Sequence, residues 1–554
     1  MRFVYIAIAC IVALAAGATV VGRRAQVEHP DDWLYFAASG EPETLNPLGC
    51  FDTTGGGVLE LVMEPLANRD LWTLEWQPRL AAHWETSEDG LTYTFYLRKG
   101  VQWQDGQPFT AHDVRYTYER INLDEKVRTM AKADWVDCED CEVLDDYTVR
   151  FRWKQPYFLA FSLCAGLKPV SRRAFGGATG KAFNDHPVQD RTPTGTGPYR
   201  VERWETARRI VLVRNEDYWG PKPFFRRIVM QFVSEDQAVF QLFKKGEIDV
   251  VGLSPLRWAK QTDSENFKRR FIKVRYPSCG YNFIVWNNDR VWFRDKRVRR
   301  AMTQLVDRQK ILDTLEFGHG YIVTGPVYPW SPAYDRTIKP WPYDPEEAKR
   351  LLDESGWSDH DGDGIRDKMI DGKRVPFDFE FKVSGTESTR ATILQEEFRK
   401  AGIRMRVRHL EWAVYLKHLF ERNFDATTVG EVMGLEVDHY LMWHSSMADA
   451  ESSANYSNFR NAEADALIEK IRVTLDAAER IPLYHRFHAI MHEEQPFTFL
   501  FSWENMQAYN RRLVNVRFAP AYPGRDVTQW RTVPADRIDH SLPAVVVQEI
   551  EPQE

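Results

Sequence analysis

Residues Leu91–Arg120 read LTYTFYLRKGVQWQDGQPFTAHDVRYTYER, and every local signal in them points to one small construction. Tyr93, Phe95 and Leu97 alternate with Thr94, Tyr96 and Arg98, the two-residue period of a half-buried strand. Lys99-Gly100 turns the chain, Trp103 marks a short second strand, and Asp105-Gly106 turns it again. Thr110-x-x-Asp113 then opens a helix, because the Asp113 carboxylate can reach back to amides that a first helical turn leaves unpaired. Val114, Tyr118 and Ile121 share one face of that helix. The pattern predicts a hairpin feeding a capped helix, a compact α+β element.

Further segments line up outward from this stretch. Gly195-Thr-Gly-Pro-Tyr199, Arg214-Asn-Glu-Asp-Tyr-Trp-Gly220, Lys245-Gly-Glu-Ile-Asp249, Phe293-Arg-Asp-Lys-Arg-Val298 and Tyr343-Asp-Pro-Glu-Glu-Ala348 follow it in order. Together with Leu91–Arg120 they resemble the landmarks of the family 5 extracellular solute-binding proteins, the oligopeptide, dipeptide and nickel receptors of ABC importers. The resemblance spans roughly residues 31 to 515. It implies an α/β protein with the two-lobed periplasmic-binding-protein fold, type II with an extra inserted domain, and lobes joined by two crossover strands. The implied lobe I is 31–63, 171–277 and 496–554, the inserted domain II is 64–170, and lobe III is 278–495. The crossovers are expected near Arg275 to Asn287 and Gln495 to Trp503.

Composition agrees with a soluble, multidomain chain. Its 554 residues exceed what one hydrophobic core usually carries. A formal charge of −7 with no block of lysine and arginine argues against nucleic acid as a partner. Phe3 to Val21 carries no charge, Arg2 precedes it and Ala16-Gly17-Ala18 offers a small-residue cleavage site, so residues 1–24 read as an export signal. The same run nearly suffices to span a bilayer, so the segment is cleaved, retained as an inner-membrane anchor or, as a third option, lipidated at Cys10. In each case the expected location is periplasmic or otherwise extracytoplasmic. Beyond Cys10 the chain holds Cys50, Cys138, Cys141, Cys164 and Cys279, an odd number that leaves at least one thiol outside any internal pair. Cys138 and Cys141 read as a local disulfide or as two free thiols.

Between the landmarks, Trp33 to Ala37, Arg209 to Val213 and Ile228 to Phe232 read as strands. Asp344-Pro345 caps a helix that Gly356 closes, and Asp476-x-x-Glu479 caps another in which Pro482 predicts a kink. Gly55-Gly56-Gly57 reads as a loop permitting close approach to a ligand or as a flexible turn. Gly195-Thr-Gly197 reads as a cleft-facing turn. No nucleophile elbow, phosphate loop, zinc-protease helix or dinucleotide fingerprint occurs, and no two acids stand at a recognisable catalytic spacing.

One metal pattern stands out. Asp359, Asp361, Asp363 and Asp367 with the Ile365 carbonyl and Gly364 follow the spacing of a calcium loop, but Ile370 occupies the position of the closing bidentate acid. The segment is a candidate structural calcium site or a polar surface turn, and no cofactor is otherwise required. Ligand contacts are expected in lobe III. By resemblance, Trp412 stands at the family's cleft tryptophan and Tyr281-Asn282 at the cleft side of the first crossover. In peptide-binding relatives the segment corresponding to Ala426–Gly434 ends with a tryptophan and, three residues on, an aspartate that pairs with the peptide amine. Glu431 stands at the former position and Gly434 at the latter. Glu431 or Glu436 is therefore the candidate carboxylate for a cationic ligand, and Trp443 either walls the pocket or packs the lobe. The expected function is an exported monomeric receptor that captures a small solute, foremost an oligopeptide, and hands it to an ABC permease. A sugar or metal chelate on the same fold is the first rival, and a secreted hydrolase a remote one.

Overall fold

The Thr92–Leu97 strand forms as predicted, with Tyr93, Phe95 and Leu97 buried, though Thr94 on the other face is buried as well because a strand covers each side. In the computed structural model, which describes residues 30–385, 388–451 and 453–548, it lies inside a four-stranded antiparallel sheet. The order is Ala81–Thr86, Thr92–Leu97, Thr148–Trp153, Cys138–Asp145. Helix Ala111–Tyr118 follows, and the Thr110 amide donates to Asp113 Oδ2 at 3.1 Å, the expected cap. Asp113 also accepts from Trp103 Nε1 at 3.2 Å and from the Arg172 amide at 3.0 Å, so one buried carboxylate ties the turn, the helix start and the chain leaving this domain. Trp103 itself is not in a strand. The turn at Asp105-Gly106 returns the chain so soon that only one bridge, Gln102 to Pro108, forms.

A second four-stranded sheet is ordered Trp33–Ala38, Arg227–Phe232, Arg209–Arg214, Tyr199–Glu205. Its first two strands pair in parallel, which brings the start of the described chain against residues nearly two hundred positions on. The largest sheet joins the lobes. Phe497–Asn510 is a single strand of 14 residues. Its first part pairs antiparallel with Gly280–Trp286 and its later part with Phe271–Pro277, so these two shorter strands follow one another along it. The long strand and the run of two shorter ones are the two crossovers of the two-lobed fold. On the third-lobe side the sheet continues through Ala426–Val432, Asp378–Ser384 and Arg404–Leu410. Because successive side chains alternate faces, Ile284 and Trp286 enter one core cluster while Tyr281, Phe283 and Val285 enter another.

The expected helix ends hold. Asp344 accepts from the Glu347 amide at 3.0 Å at the start of Pro345–Glu354, and Gly356 adopts φ +80° just past its end. Helix Ala477–Glu494 is capped by Asp476 and runs unbroken through Pro482. Two glycine readings require correction. Gly55–Gly57 lie inside helix Thr53–Val62, whose cap Asp52 accepts from the Gly55 amide at 2.8 Å. A Cβ at Gly55 would stand 2.2 Å from Cys50 Sγ, so this glycine serves packing rather than flexibility. Gly195 does not face a cleft either. A Cβ there would meet the Val62 carbonyl oxygen at 1.8 Å, because the turn closes against the end of that helix.

Cys50, Cys138, Cys141, Cys164 and Cys279 are free thiols. No helix among the described residues is long and apolar enough to cross a membrane. The export segment and Cys10 lie outside the described residues.

Candidate ligand-binding site

Strand Ala426–Val432 pairs antiparallel with Gly280–Trp286, placing Glu431 directly opposite Tyr281. Opposed residues of an antiparallel pair project to the same face, so the carboxylate and the phenol are neighbours. Neither is satisfied. Tyr281 is fully buried and its hydroxyl has no hydrogen-bond partner, and Glu431 Oε2 is sealed from solvent with none. Burial pushes the Glu431 carboxyl up to about 7. Burial, and after it the Glu431 charge, raises the Tyr281 phenol. Each group thus carries a buried oxygen whose desolvation no partner among the described residues offsets.

The end of this strand is exposed. Val432 is 68% exposed. Met433 and Leu435 pack against a small cluster of Cys279, Tyr328 and Ala521, the last contributed by the carboxy-terminal part of the chain. Gly280 allows the strands to close up here, since a Cβ would stand 2.4 Å from the Trp503 ring and 2.5 Å from the Glu431 carbonyl oxygen. Tyr328 packs tilted against Trp330 at 4.2 Å and donates its hydroxyl to the Leu435 carbonyl at 3.1 Å, bracing the segment that follows Glu431.

The remaining expected contacts separate. Asn282 projects to the opposite face from Tyr281, where a Cβ on Gly430 would be 2.8 Å from its Oδ1. Trp412 opens helix Trp412–Phe420 behind the Glu411 cap, stacks on Tyr415 at 5.7 Å and is 58% exposed, open to a ligand. Trp443 does not wall a pocket. It is fully buried, with its ring 4.5 Å from Phe497 and edge-on to Phe459 at 5.9 Å, because the third-lobe core needs a large apolar filler there. Glu436 is corrected too. It accepts from Arg69 at 2.5 Å, Ser162 at 3.0 Å and Arg480 at 3.2 Å, which saturates it with protein donors.

Two residues on, Asp438 accepts from the Tyr157 hydroxyl and from Arg472, each at 2.9 Å. The Arg472 and Arg480 guanidiniums also lie over the rings of Tyr157 at 5.1 Å and Phe158 at 4.8 Å, and the Phe158 amide donates to the Arg472 carbonyl. These contacts clasp Arg69 and the 157–162 segment to residues 436–480. The sequence carries no local signal for them, because the partners stand hundreds of positions apart.

At the candidate metal turn, carboxylate oxygens of Asp359, Asp361 and Asp363 come within 4.8 Å of one another on the surface. Asp367 is not among them. It is buried and bound to His360 Nδ1 at 2.8 Å. Asp359 accepts from the Gly362 and Gly364 amides, Asp363 from the Ile365 amide, and Asp361 from Arg374 at 2.8 Å. The turn is thus satisfied by its own amides and one arginine.

Comparison with known proteins gives this geometry its setting. Residues 75–452 match the family model described as bacterial extracellular solute-binding proteins, family 5 Middle. The chain is 27% identical to the oligopeptide-binding protein AppA of Bacillus subtilis over 90% of its own length and 91% of that protein's. It is 30% identical to protein XP55 of Streptomyces lividans, over 89% and 88% of the two chains. The structure of the Bacillus subtilis AppA protein, in complex with a nonapeptide, superposes with a TM-score of 0.77 at 26% identity, covering 91% of this chain and 100% of that one. NikZ of Campylobacter jejuni, in complex with Ni(L-His), shares the fold with a TM-score of 0.77 at 24% identity, covering 91% and 100%.

Proposed function

Since this chain belongs to the bacterial extracellular solute-binding proteins of family 5, we propose that it captures an oligopeptide between its two lobes and delivers it to the permease of an ABC importer. The observation that carries the reading is Glu431, a carboxylate with one sealed and unpartnered oxygen at the interlobe end of its strand. Burying an unpaired charge is expensive. A peptide ammonium relieves that cost on binding, so affinity is drawn from a penalty already present in the free protein. Trp412 offers an exposed ring for a side chain, and main-chain hydrogen bonding lets one site accept varied sequences.

Capture works by ligand-stabilised closure. One passage between the lobes is the continuous strand Phe497–Asn510 and the other breaks at Ser278-Cys279 between Phe271–Pro277 and Gly280–Trp286, and contacts available only when both lobes meet the peptide shift the equilibrium toward the closed form. The lobe boundaries in this reading are 31–63, 171–277 and 496–554 for lobe I, 64–170 for the insert and 278–495 for lobe III. The protein acts as a monomer in the periplasm or another extracytoplasmic space, with residues 1–24 removed or kept as an anchor. It binds without chemistry, and any calcium at the 359–367 turn is structural.

Native mass spectrometry of the exported protein, followed by denaturation and analysis of what is released, tests the reading. An intact peptide is the expected passenger. A released sugar or metal chelate would move the ligand class while keeping the family, and cleavage of an added peptide would replace the receptor with an enzyme.

A further inference from the structure

Two stretches far apart in the chain meet at one compact patch. The run 64–170 is packed firmly onto the residues around it. The Gln104 amide donates to the Gly195 carbonyl at 2.9 Å and its side chain to the Tyr199 carbonyl at 2.7 Å. Strands Trp33–Ala38 and Thr92–Leu97 send Leu34, Phe36, Tyr93 and Phe95 into one shared apolar cluster. Residues 278–495 pack around two other clusters, and to the first they contribute only Ile471 and Tyr484 as buried members. Leu475 adjoins these two, since a Cβ on Gly90, whose φ is +67°, would stand 2.0 Å from its Cδ1. A contact with so few apolar members is of the kind that permits relative motion, as a broad hydrophobic one does not.

Around this apolar spot four hydrogen bonds cross. Arg69 and Ser162 donate to Glu436 at 2.5 and 3.0 Å, the Tyr157 hydroxyl donates to Asp438 at 2.9 Å, and the Phe158 amide donates to the Arg472 carbonyl at 2.9 Å. Arg472 and Arg480, which serve Asp438 and Glu436 from their own side, hold their guanidiniums over the rings of Tyr157 and Phe158. Each carboxylate thus takes donors from both stretches, through charge-assisted bonds of the stronger kind. Every donor and acceptor in the patch belongs to the chain itself, so the contact serves the free protein and the loaded one alike. A contact common to both shut forms stabilises them equally. It slows opening, and it leaves affinity nearly unchanged as long as the free protein is mostly shut.

We propose that this patch is a latch, which holds lobe III shut against lobe I and its insert in the ligand-free protein and admits a solute only through its transient release. The latch rests on the closure reading and on the lobe boundaries given with it, and deepens both. Glu436 lies five residues past Glu431, and the Tyr328 hydroxyl on the Leu435 carbonyl braces the link between them. The segment that carries the candidate ligand carboxylate therefore also carries the catch. Latch contacts set how fast the cleft opens, and peptide contacts set how long it stays filled.

Small-angle scattering of the protein freed of passengers by dialysis from denaturant, and stopped-flow tryptophan fluorescence with trialanine, test the latch. Free wild type should scatter as compactly as the trialanine-loaded protein. Its association rate should reach a plateau as trialanine rises, the plateau being the rate of release. Tyr157→Phe removes one crossing bond while Arg472 still serves Asp438. That variant should raise the plateau roughly threefold or more while Kd changes by less than that factor. A free wild-type protein that is expanded and contracts with trialanine would overturn the latch and leave ligand-driven closure standing, and it needs no variant to fold. A plateau unmoved in Tyr157→Phe would overturn the latch as well. An expanded free protein that no alanine peptide of two to five residues contracts would overturn latch and closure together.

Discussion

Glu431 and Glu436 stand five positions apart in one segment and meet opposite surroundings. Glu436 receives Arg69 and Ser162 from hundreds of positions upstream and Arg480 from a nearby helix. Glu431 receives nothing at Oε2. Both were equal candidates for gripping a cationic ligand by residue type and neighbourhood. The difference separates two uses of a carboxylate: a saturated one fixes domains against each other, while an unsatisfied one holds free energy in reserve for a guest.

The comparison breaks first at binding. Glu431→Gln keeps the shape and removes the charge, so capture of a free-amine peptide should weaken by more than tenfold, within the range of about 2–5 kcal/mol that the loss of one partner of a buried charge pair costs. Titration calorimetry above pH 7 measures this, and unaltered affinity would return Glu431 to the status of a spectator. The same change should act in the other direction on the unliganded protein. The wild-type carboxyl is raised to about 7 in the folded state from an ordinary 4.5. The folded protein therefore holds a proton that the unfolded chain has released, and wild-type stability falls as pH rises from 4.5 to 7. Glutamine does not titrate. Glu431→Gln should equal wild type below about pH 4.5 and exceed it by up to roughly 3 kcal/mol above pH 7. Unfolding in urea at pH 4.5 and pH 8 checks both ends, and a variant less stable than wild type at pH 8 would mean that the carboxylate is satisfied after all.

Glu436→Gln sharpens the contrast from the other side. Arg480 is enclosed, and with the charge gone its guanidinium keeps only neutral acceptors, among them the Thr474 carbonyl at 2.9 Å. A stability loss of about 1–2 kcal/mol is expected at pH 7, in the range of hydrogen bonds to charged groups discounted for partial exposure. Peptide affinity should change less than threefold. Thermal unfolding and calorimetry on the same variant separate the two readouts. If Glu436→Gln lost affinity as severely as Glu431→Gln while keeping its stability, the two residues would have to exchange roles.

Local features were legible in the sequence, and features set by distant partners were not. The strand Thr92–Leu97 and the Thr110–Asp113 cap form as read, since alternation and capping chemistry are decided within a few residues. The calcium-like spacing correctly gathered Asp359, Asp361 and Asp363, but not that His360 would take Asp367. Three glycines in a row read as a loop because their intrinsic helix preference is poor. Packing of Gly55 against Cys50 outweighs that preference. Trp443 suits both core and wall by residue type, with packing slightly ahead, for residue type does not encode which side of a sheet is filled. Nothing near Glu436 announces Arg69, 367 positions away, so its saturation became visible only once the chain had folded.

The smallest effect is expected at the 359–367 turn, which tests whether satisfied carboxylates anywhere in the molecule still take a ligand. Calcium prefers six to eight oxygens. Here three exposed carboxylates converge, yet Asp359 and Asp363 already accept backbone amides and Asp361 is paired with Arg374. Binding an ion would require breaking that arginine pair and recruiting several waters. Millimolar calcium or a chelator should therefore shift the melting temperature by less than about 1 °C, corresponding to a few tenths of a kcal/mol or less. A rise of several degrees with calcium, reversed by chelation and abolished by Asp361→Asn, would show that this turn exchanges its internal partners for a metal. Carboxylate saturation would then be no guide to which groups are held in reserve, and the contrast between Glu431 and Glu436 would rest on burial alone.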